Sequence, residues 1–499
     1  MDNSQLLHVY SIEAALGVLA LLLIAVDLLK GRGRLTGPAD AVRATAWLGL
    51  LAILAWACRL TPDATHAAAH AGRAGAGAIG AVASTVGTLD AFALWFKRFF
   101  LTTALFVLAL SGPYEHRLPA GRAEFPTLLV FTTLGMCLLS SVNDFVTLFV
   151  GLELVTITLF LMSAWRPGLP RSIEAGIKFV IIGALAAAFL VYGIAWVYGA
   201  TGHFDFASVR AAINDAGPMS AALKLGLLLV VVGLGFKIGA VPFHVWIPDV
   251  YQGSPTPVTA FLSVGSKAVG VVLLMRLVYS VLGPAAAAWG LLLAGLSALS
   301  LLMGNLGAIP QQDLKRFLGY SGIAHAGFVL MALATHSIDG ANAILYYLAA
   351  YLFANTGAFL VVIVVSRTAD NSHMDRVDGL ADRSPFLAFA LTVSMLSLAG
   401  VPPLAGFFAK WMVLRAAVAQ PELLWLVVLS GVMIVVSLYY YLCVIKRMYM
   451  RPAQDSGVLE VSGLSRWLLL GCVLASVTFG LWQQPLVELA RQGAASLFG

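Results

Sequence analysis

The sequence predicts an all-α, polytopic membrane protein of about fourteen transmembrane helices, with two inverted five-helix repeats and breaks in helices 7 and 12. Three observations carry this reading. Hydrophobic residues make up 60% of the chain and charged residues 11%, against about 25% charged in soluble domains. Apolar runs near the ~20 residues needed to cross a bilayer recur from end to end. Two of these runs are interrupted by Gly/Pro clusters at similar places in two halves of the chain.

The first three spans fall near 8–29, 42–60 and 94–111. The opening residues are acidic and lack a basic region or small-residue cleavage site, so span 1 reads as an uncleaved helix. Residues 61–93 are rich in Ala and Gly but poor in bulky apolar side chains, which predicts a long external loop. Spans 4 to 8 follow near 123–141, 144–164, 173–198, 222–249 and 255–280. Spans 9 to 13 fall near 285–306, 316–334, 340–366, 385–416 and 423–445, and span 14 near 464–485.

Basic residues orient the chain. One set of loops carries Lys30, Arg32, Arg34 and Arg43, then Arg117 and Arg122, then Arg166 and Arg171. The same side carries Lys315 and Arg316, Arg367, Arg376 and Arg383, and Lys446, Arg447 and Arg451. The opposite side carries fewer, among them Arg73, Lys97, Arg98, Arg210 and Lys224. The positive-inside rule then places the first set in the cytoplasm and both termini outside.

Span 7 contains Gly233, Gly235, Gly239 and Pro242, and span 12 contains Gly400, Pro402, Pro403 and Gly406. Proline removes a backbone donor and clashes with the preceding turn. Broken helices at membrane depth survive where protein or water satisfies the freed backbone. The motifs at Val241-Pro242 and Val401-Pro402 lie about 160 residues apart, an offset that also carries the start of span 4 onto span 9. The expected organisation is an N-terminal three-helix segment (1–120), a first five-helix repeat (121–282), an inverted second repeat (283–450) and a C-terminal helix (451–499).

Several charges sit inside these spans. An ionisable group at mid-membrane costs about 2.5–3.5 kcal/mol on insertion scales and by default marks an ion or proton path. Glu153 lies roughly 14 Å along span 5 from its outer end, at 1.5 Å per residue. Lys237, just before the first break, is its natural partner, with a static packing pair as the competing reading. Lys267 is too deep in span 8 to reach the interface easily. His325 sits half-way through span 10 near Tyr320 and Ser321, where a packing histidine is the alternative. Lys410 follows the second break and Lys178 follows Glu174 by four residues, and snorkelling competes at both. Tyr346, Tyr347 and Tyr351 read first as aromatic packing. A lysine switched between paired and unpaired states can take up and release a proton near neutral pH.

Cys58, Cys137, Cys443 and Cys472 are dispersed, with no CxxC pair, so no metal or cluster site is expected. There is no GxGxxG or GxxxxGK[ST] pattern and hence no nucleotide-binding expectation. The +6 formal charge is spread over short loops, unlike a nucleic-acid patch.

The segments GLEL at 151–154, GLGFKIGAVPFHVWIPDVYQGSPTPV at 233–258, GNLGAIPQQDLKRFLGYSGIAHAG at 304–327 and MLSLAGVPPLAGFFAKW at 395–411 resemble the antiporter-like membrane subunits of respiratory complex I. Within that group, DVYQGSPTPV and Lys410 look like the N-type members. The resemblance spans about residues 120–450. It implies a non-redox subunit of an NADH-quinone oxidoreductase, carrying one proton path driven by quinone reduction elsewhere. It implies Glu153, Lys237, Lys267, His325 and Lys410 as that path, with Lys178 and Glu174 secondary. FMN, iron–sulfur clusters and quinone would belong to other subunits, with no cofactor bound by this chain. Its partners would be the lipid bilayer, the M-type antiporter-like subunit and the small K, J and A subunits. N-type members lack a long lateral helix, and the short tail after span 14 agrees with that. The alternatives are an Mrp-type cation/proton antiporter subunit and a scaffold that moves nothing. A sodium path would call for more carboxylates at depth.

Overall fold

A computed structural model of the protein describes residues 9–30, 38–62, 87–114, 124–215, 219–366, 371–453, 457 and 459–498. Most of the expected 61–93 loop lies outside these residues, as do Arg32, Arg34, Arg73, Arg117, Arg122 and Arg367. Among the described residues the chain is helical, with isolated β-bridges and no strand. Twelve helices are long and apolar enough to cross a membrane, and Glu124–Ser140 and Pro385–Ala399 are shorter apolar helices. These account for all fourteen expected spans, because the two short ones are span 4 and the first half of broken span 12.

The breaks are sharper than hydropathy indicates. Span 7 runs Ala221–Ile238, breaks, and resumes as Trp246–Gly253. Span 12 runs Pro385–Ala399 and resumes as Ala405–Val418. Each first half ends on a left-handed glycine, Gly239 (φ 72°) and Gly400 (φ 85°). That conformation suits glycine, which has no Cβ to clash. One residue later, Ala240 N donates to Gly235 O at 2.9 Å and Val401 N to Leu396 O at 3.0 Å. The cis bonds Val241-Pro242 and Pro402-Pro403 follow. The two breaks therefore superpose at an offset of 161 residues, pairing Pro242 with Pro403 and correcting the sequence pairing with Pro402 by one place. Spans 5 and 10 match at a different offset, 169, because Asp144 and Asp313 both cap a span and both form an isolated bridge.

Freed backbone groups at the breaks find partners, as a low-dielectric surrounding demands. Val241 N donates to Ser300 Oγ of span 9 at 3.0 Å. Trp246 Nε1 donates to Phe236 O at 3.1 Å and so ties the two halves of span 7 together. Gly406 N donates to Ser397 Oγ across the other break at 3.3 Å.

Spans 3, 8, 10 and 11 form the interior, and span 8 is enclosed along its whole length. Spans 1, 2, 6, 13 and 14 keep long exposed apolar faces. Small residues set the closest helix crossings, as expected where packing rather than water exclusion drives association. A Cβ on Gly193 of span 6 would stand 2.7 Å from Gly226 O of span 7, and one on Gly304 of span 9 would stand 2.3 Å from Ala324 N of span 10.

Two features lay outside the hydropathy reading. The chain continues past span 14 into an amphipathic helix, Gln484–Ala495, that packs on spans 11 and 3. Lys97, grouped above with outer basic residues, is fully buried inside span 3. Its ammonium meets Glu13 of span 1 at 2.7 Å. Nearby, Arg276 of span 8 grips Asp90 with two bonds of 2.7 and 2.9 Å and also donates to Ser140 O. These two ion pairs fasten spans 1, 3, 4 and 8 at one end of the bundle. Removing one member of such a buried pair costs about 3–5 kcal/mol, whereas replacing both with apolar groups is often neutral. We therefore expect Lys97→Met to lower the unfolding midpoint in detergent sharply, and Glu13→Leu with Lys97→Met to recover most of the loss. Equal loss in single and double variants would mean that the pair does not carry this junction.

Candidate functional site

Lys237 sits in the last turn of the first half of span 7, where unpaired carbonyls make the helix end electronegative. Its Nζ donates to Thr156 Oγ1 of span 5 at 2.9 Å. Thr156 follows Glu153 on the same helix by about one turn. Glu153 and Lys237 interact electrostatically, yet among the described residues Lys237's direct partner is the threonine. Glu153 itself is half-buried. The base thus meets a hydroxyl about one turn from the acid, in place of the contact pair that the sequence suggested.

Lys267 begins the α-helical stretch that follows a wider π turn, Leu262–Ser266, in span 8. Such bulges free backbone groups and recur at functional positions. Asn355 Nδ2 of span 11 donates to Ser263 Oγ inside this turn at 2.6 Å. The Lys267 ammonium donates to Gly322 O of span 10 and lies 5.7 Å from the Tyr351 ring centre. Gly322 leaves the approach open, since a Cβ there would stand 2.8 Å from the Lys267 nitrogen and the ammonium would have to shift.

One turn further along span 10, His325 is buried among hydroxyls. Its Nδ1 is 2.5 Å from Tyr347 Oη and its Nε2 is 3.3 Å from Tyr441 Oη. The Tyr441 hydroxyl in turn bonds Ser321 Oγ. Tyr347 thus does more than pack, in contrast to the sequence expectation. Tyr320, expected beside His325, instead lies against Gly307 of span 9. Tyr346 faces elsewhere too, donating to Phe479 O at 2.6 Å.

Lys410 is buried and does not snorkel. Its Nζ turns back across the second break to donate to Ala399 O at 2.7 Å, and it stands 5.2 Å from the Phe328 ring centre. Both break lysines therefore rest at the carbonyl end of a half-helix, although Lys237 precedes its break and Lys410 follows its own. Lys410 and Lys267 both lie within electrostatic reach of His325. A void of about 10 Å3 separates His325, Tyr347 and Tyr351 from Ser397, Gly406 and Ala409. That is the size of a single water at most, by the usual ~10–15 Å3 threshold.

Lys178 and Glu174 lie apart from this axis. Lys178 pairs with Glu174 at 2.7 Å and with Asp249 at 2.6 Å, and Asp249 also binds Arg316 at 2.5 Å. The cluster is partly exposed and fastens span 6, the second half of span 7 and span 10. Asp249 stands 161 residues before Lys410 and so occupies the equivalent place after the first break. Asp249, Thr156, Tyr441 and Asn355 were not singled out from the sequence. Asp249 and Arg276 carried a signal, charge within a span, whereas hydroxyls and amides give none until their neighbours are known. Among the described residues no group of three or more His, Cys, Asp or Glu is placed to hold a metal ion.

Residues 142–437 match the family model described as NADH:quinone oxidoreductase/Mrp antiporter, transmembrane. A curated protein named NADH-quinone oxidoreductase subunit N from Desulforamulus reducens is 40% identical over 408 residues, covering 82% of this chain and 85% of that one. A chain in the respiratory complex I structure from Thermus thermophilus is 32% identical with a TM-score of 0.78, covering 96% of this chain and 99% of that chain. A chain of an Mrp complex from a Dietzia species shares the fold, with 19% identity, a TM-score of 0.81 and coverage of 98% of this chain and 97% of that one.

Tyr441→Phe would leave His325 Nε2 and Ser321 Oγ without their shared hydroxyl. Stranding a buried polar group costs about 1–3 kcal/mol, so this variant should unfold at a measurably lower temperature in detergent. An unchanged midpoint would show that the hydroxyl network adds nothing to the packing of spans 10 and 13.

Proposed function

Because the chain belongs to the family of NADH:quinone oxidoreductase and Mrp antiporter membrane subunits, we propose that Glu153, Lys237, Lys267, His325 and Lys410 form its proton path. The chain is a proton-translocating, multi-pass subunit of the membrane arm of NADH-quinone oxidoreductase, and its own part is proton transfer rather than redox chemistry. Quinone reduction on other subunits, with their FMN and iron–sulfur clusters, supplies the energy. Its neighbours are the M-type subunit and the small K, J and A subunits. It sits in the bacterial inner membrane with its termini on the periplasmic side.

One observation carries the path. The enclosed centre of the bundle holds an unbroken contact series, from Lys267 through the Gly322 turn and Tyr351 to His325, Tyr347, Tyr441 and Ser321. Lys237 and Lys410 flank it at the two helix breaks. The offset of 161 residues between the breaks supports a division into units at 121–282 and 283–450, each giving one broken helix and one lysine.

In the mechanism, a proton on Lys237 is held by the Thr156 hydroxyl, by Glu153 and by the half-helix carbonyl end. Weakening the Glu153 interaction releases that proton toward Lys267. His325 relays it between hydroxyls by accepting at one ring nitrogen and donating from the other. Lys410 receives it over the second break. The void beside His325 is too tight for a water chain, so transfer to Lys410 requires the span 12 break to open. Moving one charge corresponds to about 2.3 kcal/mol per 100 mV, similar to the few kcal/mol that hold a buried pair. Lys178, Glu174 and Asp249 form a secondary site at the partly exposed edge of the first unit.

Lys237→Ala should leave an assembled complex that has lost most quinone-coupled proton pumping in vesicles. Lys237→Arg is the sharper test, because arginine keeps the charge but does not release a proton. A protonic Lys237 predicts loss of pumping in both variants. Recovery by arginine, or normal pumping in an assembled alanine variant, would reduce Lys237 to a structural charge. Co-purification with flavin- and iron–sulfur-containing subunits, as opposed to small antiporter subunits alone, separates the complex from an Mrp-type assembly.

A further inference from the structure

A cavity of about 250 Å3 opens at the ends of spans 9, 10 and 13. Its rim carries Lys446, Arg447 and Arg451, on the side of the bundle with most of the loop lysines and arginines. One carboxylate serves two of these cations: Asp378 lies 3.6 Å from Arg447 and 3.6 Å from Arg451. Lys446 has no ion-pair partner among the described residues and is exposed. Gln312 accepts from Arg447 at 3.2 Å on the same wall. The rim therefore has an excess of positive charge and room for several water volumes, at about 30 Å3 each.

Beyond the cavity, the two spans that border it carry exposed apolar residues along their length, and Tyr439 belongs to both the lining and one such stripe. On span 13, Val428, Val432, Val435, Tyr439 and Leu442 are all exposed and spaced by three or four residues, so they form one stripe. Leu299, Met303 and Leu306 form a matching exposed stripe on span 9, which packs beside span 13. A free anion has no use for two such stripes. A basic pocket between membrane helices, at headgroup level, is the arrangement that holds anionic lipid headgroups.

We infer that this cavity binds the phosphate headgroup of an anionic phospholipid, with its acyl chains laid along the stripes of spans 9 and 13. The cation excess selects an anionic over a zwitterionic headgroup, and the stripes select a lipid over a soluble phosphate.

Cys443 lines the cavity and is exposed, so it reports occupancy in the unaltered protein. The assembled complex is placed in nanodiscs of phosphatidylcholine, with or without added phosphatidylglycerol, and alkylation by N-ethylmaleimide is followed by peptide mass. Phosphatidylglycerol should slow labelling of Cys443 by several-fold and leave exposed Cys58 unchanged. Lys446→Glu with Arg451→Glu should abolish the protection. Equal Cys443 rates in the two lipids would overturn the inference. Protection by inorganic phosphate in phosphatidylcholine discs would make it a free-anion site, and a Cys443 inert in both lipids would show that a neighbouring subunit covers it; either result also defeats the proposal. The wild-type comparison decides the matter even if the double variant fails to assemble.

Discussion

Inside a bilayer, a charge or a freed backbone group must find its polar partner within the protein, either on another helix or across a break in its own. The rest of this architecture follows from that demand. Lys267 needs an acceptor, and span 10 presents Gly322 O where no side chain blocks the approach. The break in span 7 frees Val241 N, and span 9 supplies Ser300. The break in span 12 exposes Ala399 O, and Lys410 reaches back to take it. Lys267 and the amide of Val241 each thus fix the position of a second helix, and Lys410 fixes the two halves of its own. Enclosure of span 8 is the consequence, because a helix carrying Lys267 and Arg276 has no face that could meet lipid freely.

The two five-helix units use matched positions for different chemistry. Thr156, which holds Lys237, and His325 stand 169 residues apart, the same separation as the helix-capping Asp144 and Asp313. One unit therefore places a hydroxyl where the other places an imidazole. After the breaks, Asp249 and Lys410 occupy equivalent places with opposite charge. Asp249 is drawn outward into a salt bridge cluster with Lys178 and Arg316, while Lys410 is folded inward. A shared scaffold therefore carries unlike side chains at equivalent places.

Away from the path, ionic contacts act as fasteners. Glu13 with Lys97, and Asp90 with Arg276, bind the N-terminal three helices to the first unit. The amphipathic helix Gln484–Ala495 closes over spans 3 and 11 at its own edge, and Ser496 Oγ accepts from Phe92 N at 3.1 Å. Glu13–Lys97 and Phe92–Ser496 lie wholly outside the region that matches the family model, residues 142–437, whereas Arg276 and span 11 lie within it.

By itself the sequence determined whatever depends on the chain's own order. Span number and position follow from runs of apolar residues, the breaks from Gly239, Pro242, Gly400 and Pro403, and the deep charges from their distance to a helix end. Tertiary structure alone decided which groups meet. Hydropathy identified Lys237 but not Thr156, because a threonine in an apolar helix donates to its own backbone, as Thr156 does to Leu152 O, and its spare acceptor shows only when a neighbour is placed beside it. Lys97 looked like a loop residue because its partner Glu13 lies 84 positions earlier. Lys410 looked free to snorkel because only the turn at Gly400 brings Ala399 O within its reach. Periodicity and composition are properties of neighbours in the chain, whereas the pairing of a buried charge is set by helix packing across tens or hundreds of residues.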